Sequence, residues 1–147
     1  AARIGDPLQA LVENAISRLA RLLPIALPVA VLGLSFKPET DDMRESASIP
    51  IIHALVGEGA LVRAFDPVAM DNAKTMLPSA VVYCDDSYEA ATGAEAMVIV
   101  TEWNQFRSLD LERIKNALAG RVVVDLRNVC NPERMASHGF EYVSVGR

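Results

Sequence analysis

Residues 29–46 read VAVLGLSFKPETDDMRES, and this stretch indicates the class of the fold. It opens with an apolar run over residues 29–34 that is typical of a buried parallel strand. The run gives way to a charged segment, in which Pro38 disfavours helical geometry at the residue before it. Ser46 and Ser48 follow, and either hydroxyl is suited to cap a helix. The stretch therefore predicts a strand, a long charged loop and a helix, in that order.

The same alternation of strand and helix continues along the chain. Further strands are predicted at residues 61–65, 80–83, 96–100, 121–125 and 140–143, and helices at about 49–56, 68–77, 86–91, 109–118 and 132–137. Because no hairpin signal joins the strands, the sequence predicts a three-layer, doubly wound parallel sheet of the Rossmann-like α/β class. Loops at the carboxyl ends of the strands are the ligand-binding positions of such a sheet.

A long amphipathic helix is predicted ahead of the sheet, over residues 7–23, with Asp6 as its N-cap and Pro24 at its end. Its apolar stripe consists of Leu8, Leu11, Val12, Ala15, Ile16, Leu19, Leu22 and Leu23. The stripe either packs on this domain or joins another domain or a second chain. The predicted division is a helix and linker over 1–28 and a sheet domain over 29–147.

Composition restricts the partners. The 147 residues are 51% apolar, enough for one domain with a sizeable core. The formal net charge of −5 disfavours nucleic acids and anionic membranes, although a few local cations still allow a phosphate ligand. No apolar run approaches the ~20 residues of a membrane span, and no signal-peptide pattern is present. We expect a cytoplasmic protein that is processed or a fragment, since the chain begins without methionine.

Neither the cysteines nor the histidines form a catalytic or metal-binding pattern. Cys84 and Cys130 make no CxxC pair, so free thiols in a reducing compartment and no metal are expected. Cys130 follows Arg127 by three residues, and a nearby cation favours a reactive thiolate. Buried packing is the alternative that we favour. His53 and His138 lack a catalytic partner in the sequence and are predicted to be structural.

The usual dinucleotide fingerprint is missing. No GxGxxG occurs, and Gly33 stands alone after the first strand. Asp66 ends the second strand, where an acid often binds the ribose of a dinucleotide. Without the glycines, capping of the helix after Pro67 is the favoured role, and ribose binding is the alternative.

Cations cluster in the loops of one predicted crevice. If the strand order is 3-2-1-4-5-6, the crevice lies between strands 1 and 4, with strand 5 beside it. The loops facing it carry Phe36, Lys37 and Arg44, then TEWNQFR at 101–107, then Arg127. Arginine binds phosphate oxygens through two parallel donors and lysine acts as a movable charge, so these loops predict a diphosphate site. Phe36 and the tryptophan of TEWNQFR offer apolar faces. Pairing of Lys37 and Arg44 with neighbouring carboxylates is the alternative.

Three motifs of this crevice resemble one family. GLSFKPETDDMRES at 33–46, TEWNQFR at 101–107 and VVDLRN at 123–128 are similar to the C-terminal, UDP-binding domain of the UDP-glucose/GDP-mannose dehydrogenase family. The resemblance covers residues 29–146, and Thr-Glu-Trp is closer to the UDP-glucose branch. Ala47 departs from the family pattern, in which many relatives have proline.

The resemblance implies roles for individual residues. Phe36, Lys37 and Arg127 match residues that contact the UDP-sugar, and Arg44 matches an arginine that contacts NAD. The family oxidises the sugar C6 alcohol to a carboxylate in two NAD-dependent steps, through a cysteine nucleophile. That cysteine and the NAD fingerprint belong to an N-terminal part, so this chain alone is expected to hold no catalytic residue and to be inactive.

The resemblance also implies partners. UDP-glucose is the expected ligand, with UDP-N-acetylhexosamine or GDP-mannose as alternatives. In the family, the leading helix joins the two halves of the enzyme and supports dimerisation, so a homo-oligomer through residues 7–23 is expected. A non-catalytic nucleotide-binding or dimerisation module is the remaining alternative.

Overall fold

A computed structural model describes residues 6–20 and 26–145. These residues form a six-stranded, fully parallel sheet of order β3-β2-β1-β4-β5-β6. The strands are β1 (Pro28–Leu32), β2 (Leu61–Phe65), β3 (Val82–Tyr83), β4 (Ala96–Ile99), β5 (Val122–Asp125) and β6 (Glu141–Ser144). The helices are α1 (Asp6–Ala20), α2 (Ser48–Gly57), α3 (Met70–Ala73), α4 (Ser87–Ala91), α5 (Asn104–Arg107), α6 (Leu111–Ala117) and α7 (Pro132–Ser137).

The predicted fold class is confirmed, and the strand order is the one supposed for the predicted crevice. The differences are local. β1 ends at Leu32 instead of residue 34, because Gly33 turns the chain with a φ of +92°. The third strand pairs over two residues only, Val82 and Tyr83. The segment 101–107, expected to be a loop, contains the four-residue helix α5.

Both faces of the sheet are buried. In β1, Val29 and Val31 pack into the cluster that α1, α2 and α3 cover, whereas Ala30 and Leu32 pack into the cluster on the opposite face, which helices α4 to α7 cover. A strand covered on both faces needs apolar residues at every position, which explains why the central strands read as continuous apolar runs. The result is the predicted three-layer arrangement.

Helix α1 packs on this domain through its first half. Val12 is 1% exposed and belongs to the same cluster as α2, with Leu8 and Leu11 packed against it. The first part of the predicted stripe is therefore covered within the chain. Leu22, Leu23 and the predicted helix end at Pro24 lie outside the described residues.

The described residues offer neither a membrane span nor a metal cluster. None of their helices is long and apolar enough to cross a bilayer, and no group of three or more histidine, cysteine, aspartate and glutamate side chains is arranged to hold a metal ion. Cys84 is a buried free thiol, as predicted, and Cys130 is half-buried, with its backbone bonded to Asp125 and Tyr142. Burial raises the pKa of the Cys84 thiol, which disfavours the reactive thiolate.

Candidate functional site

The carboxyl ends of β1 and β4 meet where the strand order reverses. A Cβ on Gly33 would lie 2.6 Å from the Cβ of Thr101, so only glycine lets the two strand exits pass so closely. The Thr101 hydroxyl donates to the carbonyl oxygen of Ser35 at 2.7 Å. The loops that follow β1 and β4 are therefore joined.

The charged loop after β1 returns to its own start. The hydroxyls of Ser46 and Ser48 both donate to the carbonyl oxygen of Leu34, at 2.6 and 2.7 Å. The prediction that one of these serines caps α2 is wrong, because the N-cap position is Ala47 and no side chain caps the helix. Both hydroxyls donate to the carbonyl of Leu34 at the strand exit instead. The two ends of the loop are therefore anchored at one point.

Phe36 and Lys37 lie at the exposed start of this loop. The backbone N–H of Phe36 donates to the carbonyl of Asp42 at 2.7 Å, and the Ser35 hydroxyl donates to the carbonyl of Lys37 at 2.9 Å. The Phe36 side chain is 39% exposed. Among the described residues, no carboxylate forms an ion pair with the Lys37 ammonium. Lys37 thus makes no close surface ion pair within the described part of the chain, although its charge helps to lower the pKa of Asp42, and its ammonium remains available to an anionic ligand.

Arg127 is oriented at the exits of β4 and β5. Its Nε donates to the carbonyl oxygen of Val100 at 3.1 Å and lies 3.9 Å from a carboxylate oxygen of Glu102. Within the described part of the chain, its two terminal nitrogens carry no hydrogen bond. Val100 precedes the threonine that binds Ser35, so the loops bearing Lys37 and Arg127 meet at the end of β4.

A buried carboxylate fixes the turn that carries Arg127. Asp125 is fully buried, and its Oδ1 accepts from the backbone N–H of Arg127 at 3.1 Å. Its Oδ2 accepts from the N–H of Cys130 at 2.8 Å and from the hydroxyl of Tyr142 at 2.6 Å. Sequence reasoning missed this role. An aspartate that ends an otherwise apolar strand, directly before the binding loop, was the available signal.

Asp66 at the end of β2 is a second buried carboxylate. Its Oδ1 accepts from the backbone N–H groups of Val68 and Ala69, at 2.9 and 2.8 Å. Helix α3 begins one residue later with Ala69 as its N-cap, so Asp66 caps the turn before the helix. Its Oδ2 accepts from the N–H groups of Leu34 and Ser35. The carboxylate is buried and is engaged by these backbone donors. The prediction that it caps α3 itself is wrong, because the N-cap position is Ala69, and Asp66 closes the turn before the helix instead.

Arg44 forms the surface pair that was its alternative. Two of its nitrogens bind the two carboxylate oxygens of Asp42 at 3.0 Å each, while 86% of the Arg44 side chain stays exposed. Hydrogen bonding from Arg44 lowers the pKa of Asp42 to about 2. The pair borders an open groove of about 480 Å³ between residues 40–44 and the segment of α3 and the turn after it, at Asn72, Thr75 and Met76. Arg44 thus lies on the α3 side of the loop, whereas Arg127 lies on the β5 side.

One ligand contact that the sequence suggested is not available, and the β1 exit lacks the usual dinucleotide geometry. Trp103 is only 5% exposed and packs in the core, so Phe36 is the aromatic face open to a ligand. Thr101 occupies the space beside Gly33, and the loop from β1 to α2 has no further glycine, so this strand exit does not form the glycine cradle that holds a dinucleotide pyrophosphate.

Backbone strain lies beside the predicted binding residues. Among the described residues, three that are not glycine have a positive φ: Glu39 at 63°, Glu45 at 60° and Asn128 at 54°. Each lies within two residues of Lys37, Arg44 or Arg127. This conformation costs about 1–2 kcal/mol per residue and tends to occur at binding sites. The sequence pattern gave no sign of it.

The parallel sheet, the joined loops at its switch point and the oriented cations define a Rossmann-like nucleotide-binding domain. The chain belongs to the UDP-glucose/GDP-mannose dehydrogenase family, since the sequence model described as the UDP binding domain of that family matches residues 30–132.

Individual relatives agree with this assignment. The chain is 48% identical over 119 residues to the UDP-glucose 6-dehydrogenase of Rhizobium meliloti (strain 1021), covering 81% of this chain and 27% of that protein. A UDP-glucose dehydrogenase structure from Pyrobaculum islandicum has a TM-score of 0.70 and 33% identity, over 92% of this chain and 29% of that one. A UDP-D-ManNAc dehydrogenase structure from Pyrococcus horikoshii has a TM-score of 0.74 and 27% identity, over 96% and 30%. The chain thus spans less than a third of the length of these relatives.

Proposed function

We propose that this chain is the UDP-sugar-binding domain of an NAD-dependent UDP-glucose 6-dehydrogenase, which converts UDP-glucose to UDP-glucuronate in two successive oxidations. The observation that carries the proposal is that two cations, Lys37 and Arg127, lie on loops that are joined at the end of β4. Lys37 has no ion-pair partner among the described residues. Arg127 donates through Nε to the carbonyl of Val100, and its two terminal nitrogens form no hydrogen bond with the described residues.

Each binding residue supplies a different contact. Arg127 offers two parallel donors to diphosphate oxygens, and Lys37 adds a point charge that adapts to their position. Phe36 presents its exposed ring to the base or sugar. Charge-assisted hydrogen bonds to phosphate typically contribute about 1.5–3 kcal/mol each, so the two cations dominate binding.

NAD, when bound, accepts the hydride in each oxidation, and we infer that it is held mainly outside this chain. The missing pyrophosphate cradle supports this inference. Arg44, with its exposed guanidinium, is suited to touch the cofactor from the flank of the loop. We also infer that the nucleophile lies outside this chain, because the nucleophilic cysteine of the family belongs to the N-terminal part and burial raises the pKa of Cys84. This chain binds and orients the sugar nucleotide and does not turn over by itself.

A second candidate substrate is a UDP-N-acetylhexosamine, favoured by the high structural similarity to the UDP-D-ManNAc dehydrogenase. GDP-mannose is a third candidate substrate, and a non-catalytic nucleotide-binding or dimerisation module is the candidate of a different class. We further propose a cytoplasmic homo-oligomer that associates through the part of the helix over residues 7–23 that follows Val12.

Calorimetry with UDP and GDP, beside an absorbance assay with UDP-glucose and NAD, tests the proposal. UDP should bind in preference to GDP, with an affinity that falls as salt is added, and no NADH should form. Preferential GDP binding would point to the GDP-mannose branch. Sustained NADH production by the purified chain would contradict the division of the site between two domains.

A further inference from the structure

We propose that Asp66 is a positioning residue that locks the exits of β1 and β4 together and so presents Phe36 and Lys37 to the ligand. The proposal rests on the proposed function for its ligand. It assigns to the acid at the end of β2 a role other than ribose binding.

One oxygen of Asp66 joins two loops that are far apart in sequence. Oδ2 accepts hydrogen bonds from the backbone N–H of Leu34 at 2.7 Å and from that of Ser35 at 3.0 Å. The Ser35 hydroxyl approaches it at 3.2 Å, and the indole Nε1 of Trp103 donates to it at 3.3 Å. The exits of β1 and β4 therefore share a single acceptor.

The other oxygen fixes the carboxylate itself. Oδ1 accepts from Val68 and Ala69 in the turn after β2, so the side chain cannot rotate without breaking both sets of bonds. Asp66 is 0% exposed and has no cationic partner among the described residues. Hydrogen bonds to an ionised acceptor are stronger than neutral ones, and they offset the cost of burying the charge.

The direction of the β1 exit determines where the ligand-contacting residues Phe36 and Lys37 lie. Ser35 directly precedes Phe36 and Lys37, and its carbonyl accepts from the Thr101 hydroxyl at 2.7 Å. If Oδ2 is replaced by an amide nitrogen, the donors of Leu34, Ser35 and Trp103 face another donor. The β1 exit then loses its fixed direction, although neither Phe36 nor Lys37 is changed.

The test compares Asp66→Asn with two control variants. Asp86→Asn makes the same chemical change at the N-cap of α4, where the carboxylate accepts from Glu89. Ile114→Val removes one buried methylene from α6, in the core, and controls for lost stability alone. Trp103 is the sole tryptophan, so its emission reports on this cluster.

In Asp66→Asn we expect UDP affinity to fall about 10-fold, the scale of a change that acts through an intervening residue. Amide exchange at Leu34 and Ser35 should accelerate, and Trp103 emission should shift. Neither control variant should change UDP affinity by more than about twofold. Should Asp66→Asn fail to fold, Trp103→Phe removes the indole donor and keeps an aromatic ring, and Ser35→Ala removes the hydroxyl; each should accelerate exchange at Leu34 and Ser35.

Two results would overturn the proposal. Unchanged exchange at Leu34 and Ser35 would show that Asp66 does not hold the β1 exit, whether or not UDP binds. Faster exchange with unaltered UDP affinity would show that the exit need not be fixed. Failure of the parent chain to bind UDP would count against the proposed function instead, and the exchange measurement would still decide the role of Asp66.

Discussion

The guanidinium Nε of Arg127 donates to the carbonyl oxygen of Val100 at 3.1 Å, across 27 positions of sequence. This bond aims the side chain from β5 over the end of β4, where the loop after β1 is also attached. A main-chain acceptor at this point uses one donor of Arg127 and leaves the terminal nitrogens for a ligand. Arg127 is therefore preorganised, whereas Lys37 relies on its mobility.

Removal of either cation should weaken UDP binding. Arg127→Ala and Lys37→Ala should each lower the affinity by about 10- to 100-fold, since a charge-assisted hydrogen bond contributes about 1.5–3 kcal/mol. Arg127→Lys should recover only part of the loss, because lysine lacks the two parallel donors. Calorimetry measures the change, with Arg121→Ala as control, since Arg121 is exposed at the amino end of β5. An equal loss in the control would indicate a general charge effect.

The negative charge of Glu102 should weaken the binding of the diphosphate to Arg127. Its carboxylate lies 3.9 Å from Arg127, and both side chains are about one-third exposed. Val100 still orients Arg127 when this carboxylate is removed, so Glu102→Gln should raise UDP affinity about threefold at low salt. The gain should shrink at high ionic strength. Weaker binding of UDP by Glu102→Gln would show that the carboxylate orients Arg127 instead.

The Asp42–Arg44 pair should give an acid-range titration. The pKa of Asp42 is about 2 in the folded protein, below its ordinary value of 3.8, mainly through hydrogen bonding from Arg44. A depressed folded pKa means that the stabilisation is present above pH 3.8 and is lost as the pH falls towards 2. Carbon-13 NMR of the Asp42 carboxyl should show this midpoint, and Arg44→Ala should return it towards 3.8. A midpoint unaffected by Arg44→Ala would rule out the pair in solution.

Tyr83→Phe should stabilise the protein. The Tyr83 hydroxyl is buried and has no hydrogen-bond partner among the described residues. Removing an unsatisfied buried donor should raise the free energy of unfolding by about 1 kcal/mol, as urea denaturation would show. Burial also raises the pKa of Tyr83, so the parent should lose stability as the pH rises above 10, where the unfolded tyrosine ionises first, and the Phe variant should not show this loss. Destabilisation by Tyr83→Phe would mean that the hydroxyl is hydrogen-bonded.

The two halves of α1 should respond differently to substitution. Val12 is buried against this domain, so Val12→Ala should lower stability by about 1–2 kcal/mol without changing self-association. Leu19→Asp should weaken self-association if the later part of the stripe meets a second chain, as sedimentation would show. A parent chain that stays monomeric at high concentration would exclude the homo-oligomer.

The sequence alone determined the architecture. Continuous apolar runs at the central strands, separated by helical patterns, predict a parallel sheet covered on both faces. The strand order could only be supposed from the fold class, and the structure has the supposed order. The motifs also placed Phe36, Lys37 and Arg127 at strand exits, because the carboxyl end of each parallel strand can be read along the chain. Local patterns suffice for these features, since each depends on the spacing of neighbouring residues.

Tertiary structure alone decided how the loops are joined and which side chains remain exposed to a ligand. Ser46 and Ser48 have the composition of helix caps, yet a carbonyl 12 and 14 positions earlier takes both hydroxyls. The sequence suggested that the Trp103 ring contacts a ligand, but the ring is buried. The carboxylates of Asp66 and Asp125 each accept hydrogen bonds from separate segments of the chain. Hydrogen bonds between residues tens of positions apart depend on which strand exits lie side by side. The spacing of residues in the sequence does not determine the distances between those exits.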